Sequence, residues 1–154
     1  MARAEDNTEL KNTLNHQVAN FTVLWTKLHN YHWYVKGHNF FSLHEKFEEL
    51  YNTSGTYVDE LAERLLAIGG EPVGRLDEAL KESSVDEAEY DLTADQMVRQ
   101  LNKDYDMVIK ELDKAKDTAE EAGDDRTADM FIEMSTELEK NNWMLKSFLG
   151  KDVK

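Results

Sequence analysis

The sequence contains no cysteine, a single proline and only seven glycines among its 154 residues. Without cysteine, a disulfide framework, thiolate catalysis and cysteine-based zinc or iron–sulfur sites are excluded, so any bound metal must use histidine and carboxylate ligands. Because Pro72 and the few glycines leave long segments unbroken, apolar residues recur every three or four positions rather than alternating. The sequence therefore predicts an all-α fold.

Long apolar runs and an excess of positive charge are also missing. No stretch of about 18 apolar residues occurs, and the start MARAEDNTEL has no apolar signal core, so we expect a cytoplasmic protein without a membrane span. Eighteen basic residues against 32 acidic ones give a net charge of -14, which disfavours general nucleic-acid affinity and favours cations. We expect one domain over residues 1–154, with 1–7 as a flexible N-terminal tail.

Four long amphipathic segments and one short apolar segment are separated by glycine-rich or acidic breaks. The predicted helices cover residues 8–35, 39–68, 76–80, 93–122 and 124–149. The second of these begins either at Asn39 or at Ser42, where Ser42 and Glu45 would form a capping box. The only long connection joins the second and third long helices and contains the short helix. This order is typical of a ferritin-like four-helix bundle with one crossover.

Four of the five histidines lie between residues 29 and 50. On the second helix, Glu48, Asp59 and Glu63 lie at about 40°, 60° and 100° from His44, so all four side chains share one sector. Yet His44 and Asp59 are separated by roughly 22 Å along the axis, whereas a metal–ligand bond is about 2 Å long. One helix therefore cannot bring all four side chains to one ion.

Two copies of the second helix, packed antiparallel about a two-fold axis, would bring its two ends together. Gly55, midway between them on the same sector, would permit close approach of the two helices. The end of the first helix, which carries His32, lies next to the start of the second. The ligand set that we predict takes two histidines and a glutamate from one subunit and two carboxylates from its partner: His32, His44, Glu48, Asp59 and Glu63.

Imidazole and carboxylate donors suit Fe(II), Mn(II) and Zn(II) but suit Cu(I) poorly. We favour iron because Trp25, Trp33 and Tyr34 lie close by in the sequence, and aromatic rings can donate electrons to oxidising intermediates. No Glu-x-x-His motif occurs, so a di-iron site inside a single bundle is not expected. In the alternative without a metal, His32 is a hydrogen-bonded core histidine and the helix carboxylates form a solvated face.

The segments HNYHWYVKGHNFFSLHEKFEELY and DELAERLLAIGG closely resemble the Dps family, the miniferritins of starved or oxidatively stressed bacteria. GDDRTADMFIEM and NNWMLKSFLG add to a resemblance that covers essentially the whole chain. It implies a dodecameric shell of four-helix subunits around a cavity, with ferroxidase sites at the two-fold interfaces. The family's iron ligands fall on His32, His44, Glu48, Asp59 and Glu63, although many relatives have aspartate where this chain has Glu48.

The resemblance also implies an activity and a route for iron. Family members oxidise Fe(II) with hydrogen peroxide in preference to oxygen and store the ferric product in the cavity. Their iron-admitting pores on three-fold axes are lined by acidic residues, which correspond here to Glu120, Asp125 and Asp129. Some members compact DNA through a lysine-rich terminus, but neither MARAEDNTELKN nor GKDVK is such an arm, so we expect no direct DNA binding. Our first hypothesis is therefore an iron-storing ferroxidase, the second is a DNA-compacting nucleoid protein of starved cells, and the third is a shell without catalytic iron chemistry.

Overall fold

The computed structural model describes residues 7–150, and within them the chain forms five helices and no strand. The helices are α1 (Thr8–Tyr34), α2 (Phe40–Ala67), α3 (Leu76–Glu82), α4 (Ala94–Glu121) and α5 (Asp125–Leu149). α1 packs along α2 and α4 packs along α5, so two antiparallel hairpins form a four-helix bundle, and their connection carries α3. The predicted all-α bundle with a short crossover helix is confirmed.

The turn between α1 and α2 depends on Gly37, whose φ of +107° is a conformation that side chains with a Cβ rarely adopt. The N–H of Phe40 donates to the Gly37 carbonyl, so α2 starts directly after this turn. Ser42 therefore lies inside the first turn, where its hydroxyl donates to the carbonyl of Asn39. The capping box that we predicted between Ser42 and Glu45 does not form.

Side chains cap three of the other helix starts, as local sequence signals suggest. Thr93 and Gln96 form a capping box at the start of α4. Asp124, rather than Asp125, accepts a hydrogen bond from the first turn of α5. Asn7 caps α1, whereas residues 1–6 of the predicted tail lie outside the described residues. The extent of the single domain stays a prediction.

One apolar core runs through all four long helices. Each fully buried side chain of leucine or phenylalanine contributes about 1.5–3 kcal/mol relative to an exposed one. Representative core side chains, one from each long helix, are Leu24, Phe47, Leu101 and Phe131. Trp25 and Trp143 continue the apolar spacing of α1 and α5, yet they are 44% and 65% exposed. None of the helices in residues 7–150 has the length and apolarity that a bilayer span requires.

A buried ion pair ties the first hairpin to the second. Lys27 Nζ on α1 lies 2.8 Å from Asp104 Oδ2 on α4, and both side chains are almost fully buried. Burial raises the pKa of Asp104, and the ammonium of Lys27 opposes that rise. Removing either partner alone would leave an uncompensated buried charge, so a single substitution at Lys27 or Asp104 should strongly destabilise the fold.

A second polar tie is centred on Glu111 of α4, and it also holds the connection that follows α3. The carboxylate accepts hydrogen bonds from three α1 side chains, at 2.7 Å from Asn20, 2.9 Å from His16 and 3.3 Å from Gln17. The Ser84 hydroxyl donates to its other oxygen at 2.6 Å. Although burial opposes the effect, these hydrogen bonds lower the pKa of Glu111 to about 2. No local sequence signal indicates this role for His16, which the structure shows to be part of the cluster.

Candidate metal centre

His32 near the end of α1 and His44 in the first turns of α2 hold each other across the Gly37 turn. Each imidazole Nδ1 lies 2.7 Å from the other residue's backbone carbonyl, and the rings stack with centroids 3.7 Å apart. Because a carbonyl oxygen can only accept, each Nδ1 must carry the proton. The Nε2 lone pairs are therefore available to a metal ion, which is the arrangement that oriented histidine ligands usually show.

Glu48 completes a three-residue group at this end of α2. Its Oε1 lies 3.8 Å from His32 Nε2, which is too long for a hydrogen bond but within reach of a shared cation. The His32 side chain is 9% exposed and the Glu48 side chain is 53% exposed. The group thus has a buried imidazole wall and an open carboxylate side, from which an ion can approach.

The other two predicted ligands, Asp59 and Glu63, lie farther along α2 and are both exposed. The helix is unbroken from Phe40 to Ala67, so Asp59 remains roughly 22 Å from His44 along the axis. Within residues 7–150, no group of three or more histidine, aspartate or glutamate side chains is arranged to hold a metal by itself. One chain therefore presents two separated groups of donors, one at the start of α2 together with His32 and one near its end.

An aromatic layer that sequence reasoning missed backs the histidine pair. Tyr51 meets the His32 ring edge-on, with centroids 5.3 Å apart, and stacks on His29 at 3.6 Å. The Trp25 indole lies 4.3 Å from His29 and covers Gly55, where a Cβ atom would stand 3.2 Å from the indole. Gly55 thus makes room for a tryptophan of its own chain. The available signal was that Tyr51 follows His44 by seven residues and shares its helix face.

The three carboxylates that we predicted to line a pore cluster around the turn between α4 and α5. All three are exposed. Glu120, in the last turn of α4, lies 3.7 Å from Lys116. Asp125 is the first residue of α5, and Asp129 follows it by one turn on the same side of the helix. Because Asp124 performs the capping, the Asp125 carboxylate is not needed for that role.

Comparisons with known proteins show which families and structures this chain resembles. A family model of the ferritin-like domain matches residues 11–153. DNA protection during starvation protein 2 of Bacillus anthracis is 52% identical over 145 residues, which cover 94% of this chain and 99% of that protein. The crystal structure of Dps from Staphylococcus aureus superposes with a TM-score of 0.92 at 56% identity, covering 94% of this chain and 97% of the other.

This chain belongs to the Dps family. Its bundle has the ferritin-like fold, with the short α3 between α2 and α4. A second Dps structure, from Listeria innocua and soaked with zinc, has a TM-score of 0.89 at 46% identity, covering 92% of this chain and 97% of that one. Membership of the ferritin-like family supports a function of the iron-storage type.

Proposed function

We propose that this protein is a ferroxidase that oxidises Fe(II) with hydrogen peroxide and stores the ferric product inside a dodecameric shell in the cytoplasm. The observation that carries the proposal is the reciprocal histidine pair, which leaves two Nε2 atoms beside the Glu48 carboxylate. Imidazole and carboxylate together suit Fe(II), and added carboxylates favour the harder Fe(III).

The proposed centre is shared between two subunits. His32, His44 and Glu48 of one chain would bind iron together with Asp59 and Glu63 of the partner subunit. The support is geometric: His44 and Glu48 lie near the start of α2 and the two carboxylates lie near its end, so the two groups cannot meet within one chain. A two-fold axis across α2 would produce two equivalent centres for each pair of subunits.

The reaction balances without a further cofactor. Two Fe(II) ions give one electron each to hydrogen peroxide, whose O–O bond breaks, and water supplies the remaining oxygen atoms. Two ferric oxyhydroxide units and four protons are formed. Peroxide and Fe(II) are consumed together, so the two reagents that generate hydroxyl radicals are removed in one step, which would protect the cell from oxidative stress.

Iron would reach the interior between subunits at the start of α5. A ring formed by copies of Glu120, Asp125 and Asp129 would attract cations, because carboxylates around a narrow opening concentrate negative potential. The exposure of all three side chains in a single chain is compatible with that role.

The first prediction tests the histidine pair. Replacing both residues, by His32→Ala with His44→Ala, should slow ferric formation about 10- to 100-fold, because both imidazole ligands are lost. The measurement is stopped-flow absorbance after anaerobic mixing of Fe(II)-loaded protein with peroxide, on samples whose assembly is checked by gel filtration. His38→Ala, a change at an exposed histidine on the adjacent turn, is the matched control and should react at the wild-type rate. A double variant as fast as the control would refute the proposal.

A further inference from the structure

An ion pair between Arg64 and Asp124 joins α2 to the start of α5. The guanidinium donates from Nη2 to Asp124 Oδ1 and from Nε to Thr127 Oγ1, each at 2.9 Å. Asp124 is 5% exposed and Thr127 is fully buried, so the acceptors lie on a desolvated surface. A planar guanidinium that donates to two fixed acceptors is held in one orientation, which a single ammonium contact would not achieve.

This contact joins helices of different hairpins. The closest backbone approaches lie within the hairpins, α1 with α2 and α4 with α5, whereas the backbones of α2 and α5 stay farther apart. The position of the α5 start relative to the end of α2 is therefore set by side chains that lie between the two helices. Arg64 is one of them, with 22% of its side chain exposed, and it bonds to the residue that caps α5.

The same ion pair adjoins both groups of carboxylates that the proposed function uses. Glu63 immediately precedes Arg64, and Asp59 lies one turn earlier on α2. Asp125 immediately follows Asp124 on α5. A shift of either helix at this contact would move the ligand pair relative to the uptake carboxylates, because the short helical segments between them are rigid.

The charge of Arg64 has a second consequence at this place. Asp124 accepts hydrogen bonds from Arg64 Nη2 at 2.9 Å and from the Thr127 N–H at 3.1 Å, and the Thr127 hydroxyl also donates to it. The carboxylate oxygens are therefore already occupied by donors. Without Arg64, this carboxylate would lose its cationic partner at the position directly before Asp125.

We propose that Arg64 is a positioning residue, which fixes the uptake carboxylates on α5 relative to the ligand pair Asp59 and Glu63 on α2. The proposal rests on the ferroxidase function proposed above. Arg64 does not contact iron in this scheme; it acts through Asp124 and Thr127, and it keeps the Asp124 carboxylate from competing with the uptake carboxylates for cations.

The test measures the dependence of the oxidation rate on Fe(II) concentration for the assembled protein with peroxide in excess. Arg64→Met should lower kcat about tenfold and raise KM, because both the ligand geometry and the uptake route are disturbed. Arg64→Lys keeps a cation beside Asp124 without the second hydrogen bond, so it should restore KM more completely than kcat. Arg75→Met removes the same charge from an exposed side chain on the surface and should leave both constants unchanged.

A double-mutant cycle separates positioning from simple loss of stability. When Arg64→Met is combined with Asp125→Asn, the rise in KM should be smaller than the product of the two single effects, because both changes act on one route. If Arg64 has only a structural role, the two substitutions should change KM independently, and Arg64→Met should lower the unfolding temperature. Unchanged kinetics in Arg64→Met, or full independence in the cycle, would overturn the proposal.

If Arg64→Met does not assemble, Arg64→Lys and Thr127→Val provide the test. Thr127→Val removes the hydroxyl that accepts the hydrogen bond from Arg64 Nε. Both should change kcat in the direction predicted for Arg64→Met, and wild-type constants in both would overturn the proposal. The two levels of inference remain distinguishable. A wild-type protein that does not oxidise Fe(II) refutes the proposed function and this inference with it. An active wild-type protein with insensitive Arg64 variants refutes the inference alone.

Discussion

At the scale of single residues, the structure decides which atoms are available for chemistry. The histidine pattern predicts that His32 and His44 lie close together, because a short turn joins the helices that carry them. It does not predict that each ring donates Nδ1–H to the other's carbonyl, which is what leaves Nε2 available. The assignment depends on backbone geometry across the Gly37 turn, and residue types alone do not specify that geometry.

The Glu111 cluster makes the pH dependence of the connection predictable. The hydrogen bond between the His16 ring and Glu111 raises the pKa of His16, although burial opposes the rise. The backbone of Glu82 also accepts a hydrogen bond from the ring. The stabilisation of the fold by protonated His16 is therefore complete below the ordinary histidine pKa of 6.5 and is lost as the pH rises through the raised pKa of His16. The contribution of Glu111 is present above its ordinary pKa of 4.5 and is lost as the pH falls towards about 2.

We therefore expect His16→Gln to speed amide hydrogen exchange in residues 83–91 at about pH 6 and to have much less effect at about pH 9. Wild type and variant are compared at each pH, so that intrinsic exchange rates cancel. The groups facing the ring are Glu111, Ser84 and the Glu82 carbonyl. His38→Gln, at an exposed histidine, should show no such difference. An equal effect of His16→Gln at both pH values would contradict the role of His16 protonation.

At the scale of elements, the helix ends depend mainly on residues close by in the sequence, so most of them were predictable. Gly37, the Thr93 and Gln96 box, and Asp124 each act within four residues of the end that they define. Of the two predicted starts of α2, the structure has Asn39 as the N-cap, and the alternative at Ser42 was wrong because the glycine turn places the N-cap three residues earlier. Packing between elements was less predictable: Trp25 follows the apolar stripe of α1 yet lies over Gly55, partly in solvent.

The cap of α4 gives a local stability prediction. Thr93→Ala removes the oxygen that accepts from Gln96 N–H at 3.2 Å, which should destabilise the first turn by about 1 kcal/mol. Amide exchange of residues 94–97 should accelerate about fivefold, while the rate of ferric formation stays unchanged. Thr118→Ala, within the same helix, removes a hydroxyl that bonds only to the Lys114 carbonyl and is the control. Equal exchange in Thr93→Ala and wild type would contradict the capping contribution.

At the scale of the whole molecule, the proposed metal centre needs two chains, and a complementation experiment tests this directly. One variant carries His32→Ala with His44→Ala, and the other carries Asp59→Asn with Glu63→Gln. Each should be inactive alone. Random co-assembly after co-expression should leave about a quarter of the centres intact, because a mixed pair of subunits joins the two unaltered halves at one of its two centres.

Ferric formation at roughly a quarter of the wild-type extent in the co-assembled sample would support the shared centre. Simply mixing the two separately purified oligomers is the control and should restore nothing. An inactive co-assembled sample would contradict the shared centre, since ligands confined to one chain cannot be complemented in this way.

The net charge of -14 per chain leads to a further prediction for the assembled protein. Although relatives carry the name DNA protection during starvation protein, an acidic shell should repel phosphate backbones. We expect no shift of duplex DNA in a gel at about 0.1 M salt without divalent ions, where charges interact over about 10 Å. Retardation under these conditions would favour the alternative of a DNA-compacting protein.

The sequence by itself determined the all-helical class, the helix order and the crossover, because apolar periodicity and helix-end signals act over a few residues. It also indicated the five candidate ligands, because helix geometry shows which residues share one face of a helix. Only the tertiary structure decided the histidine tautomers, the Glu111 cluster and the Arg64 contact. The tautomers depend on the backbone geometry of the Gly37 turn within one hairpin. The Glu111 cluster and the Arg64 contact join side chains of different hairpins, such as His16 and Glu111, which are 95 residues apart in sequence. No local pattern encodes such a meeting, because it follows from the way the two hairpins pack.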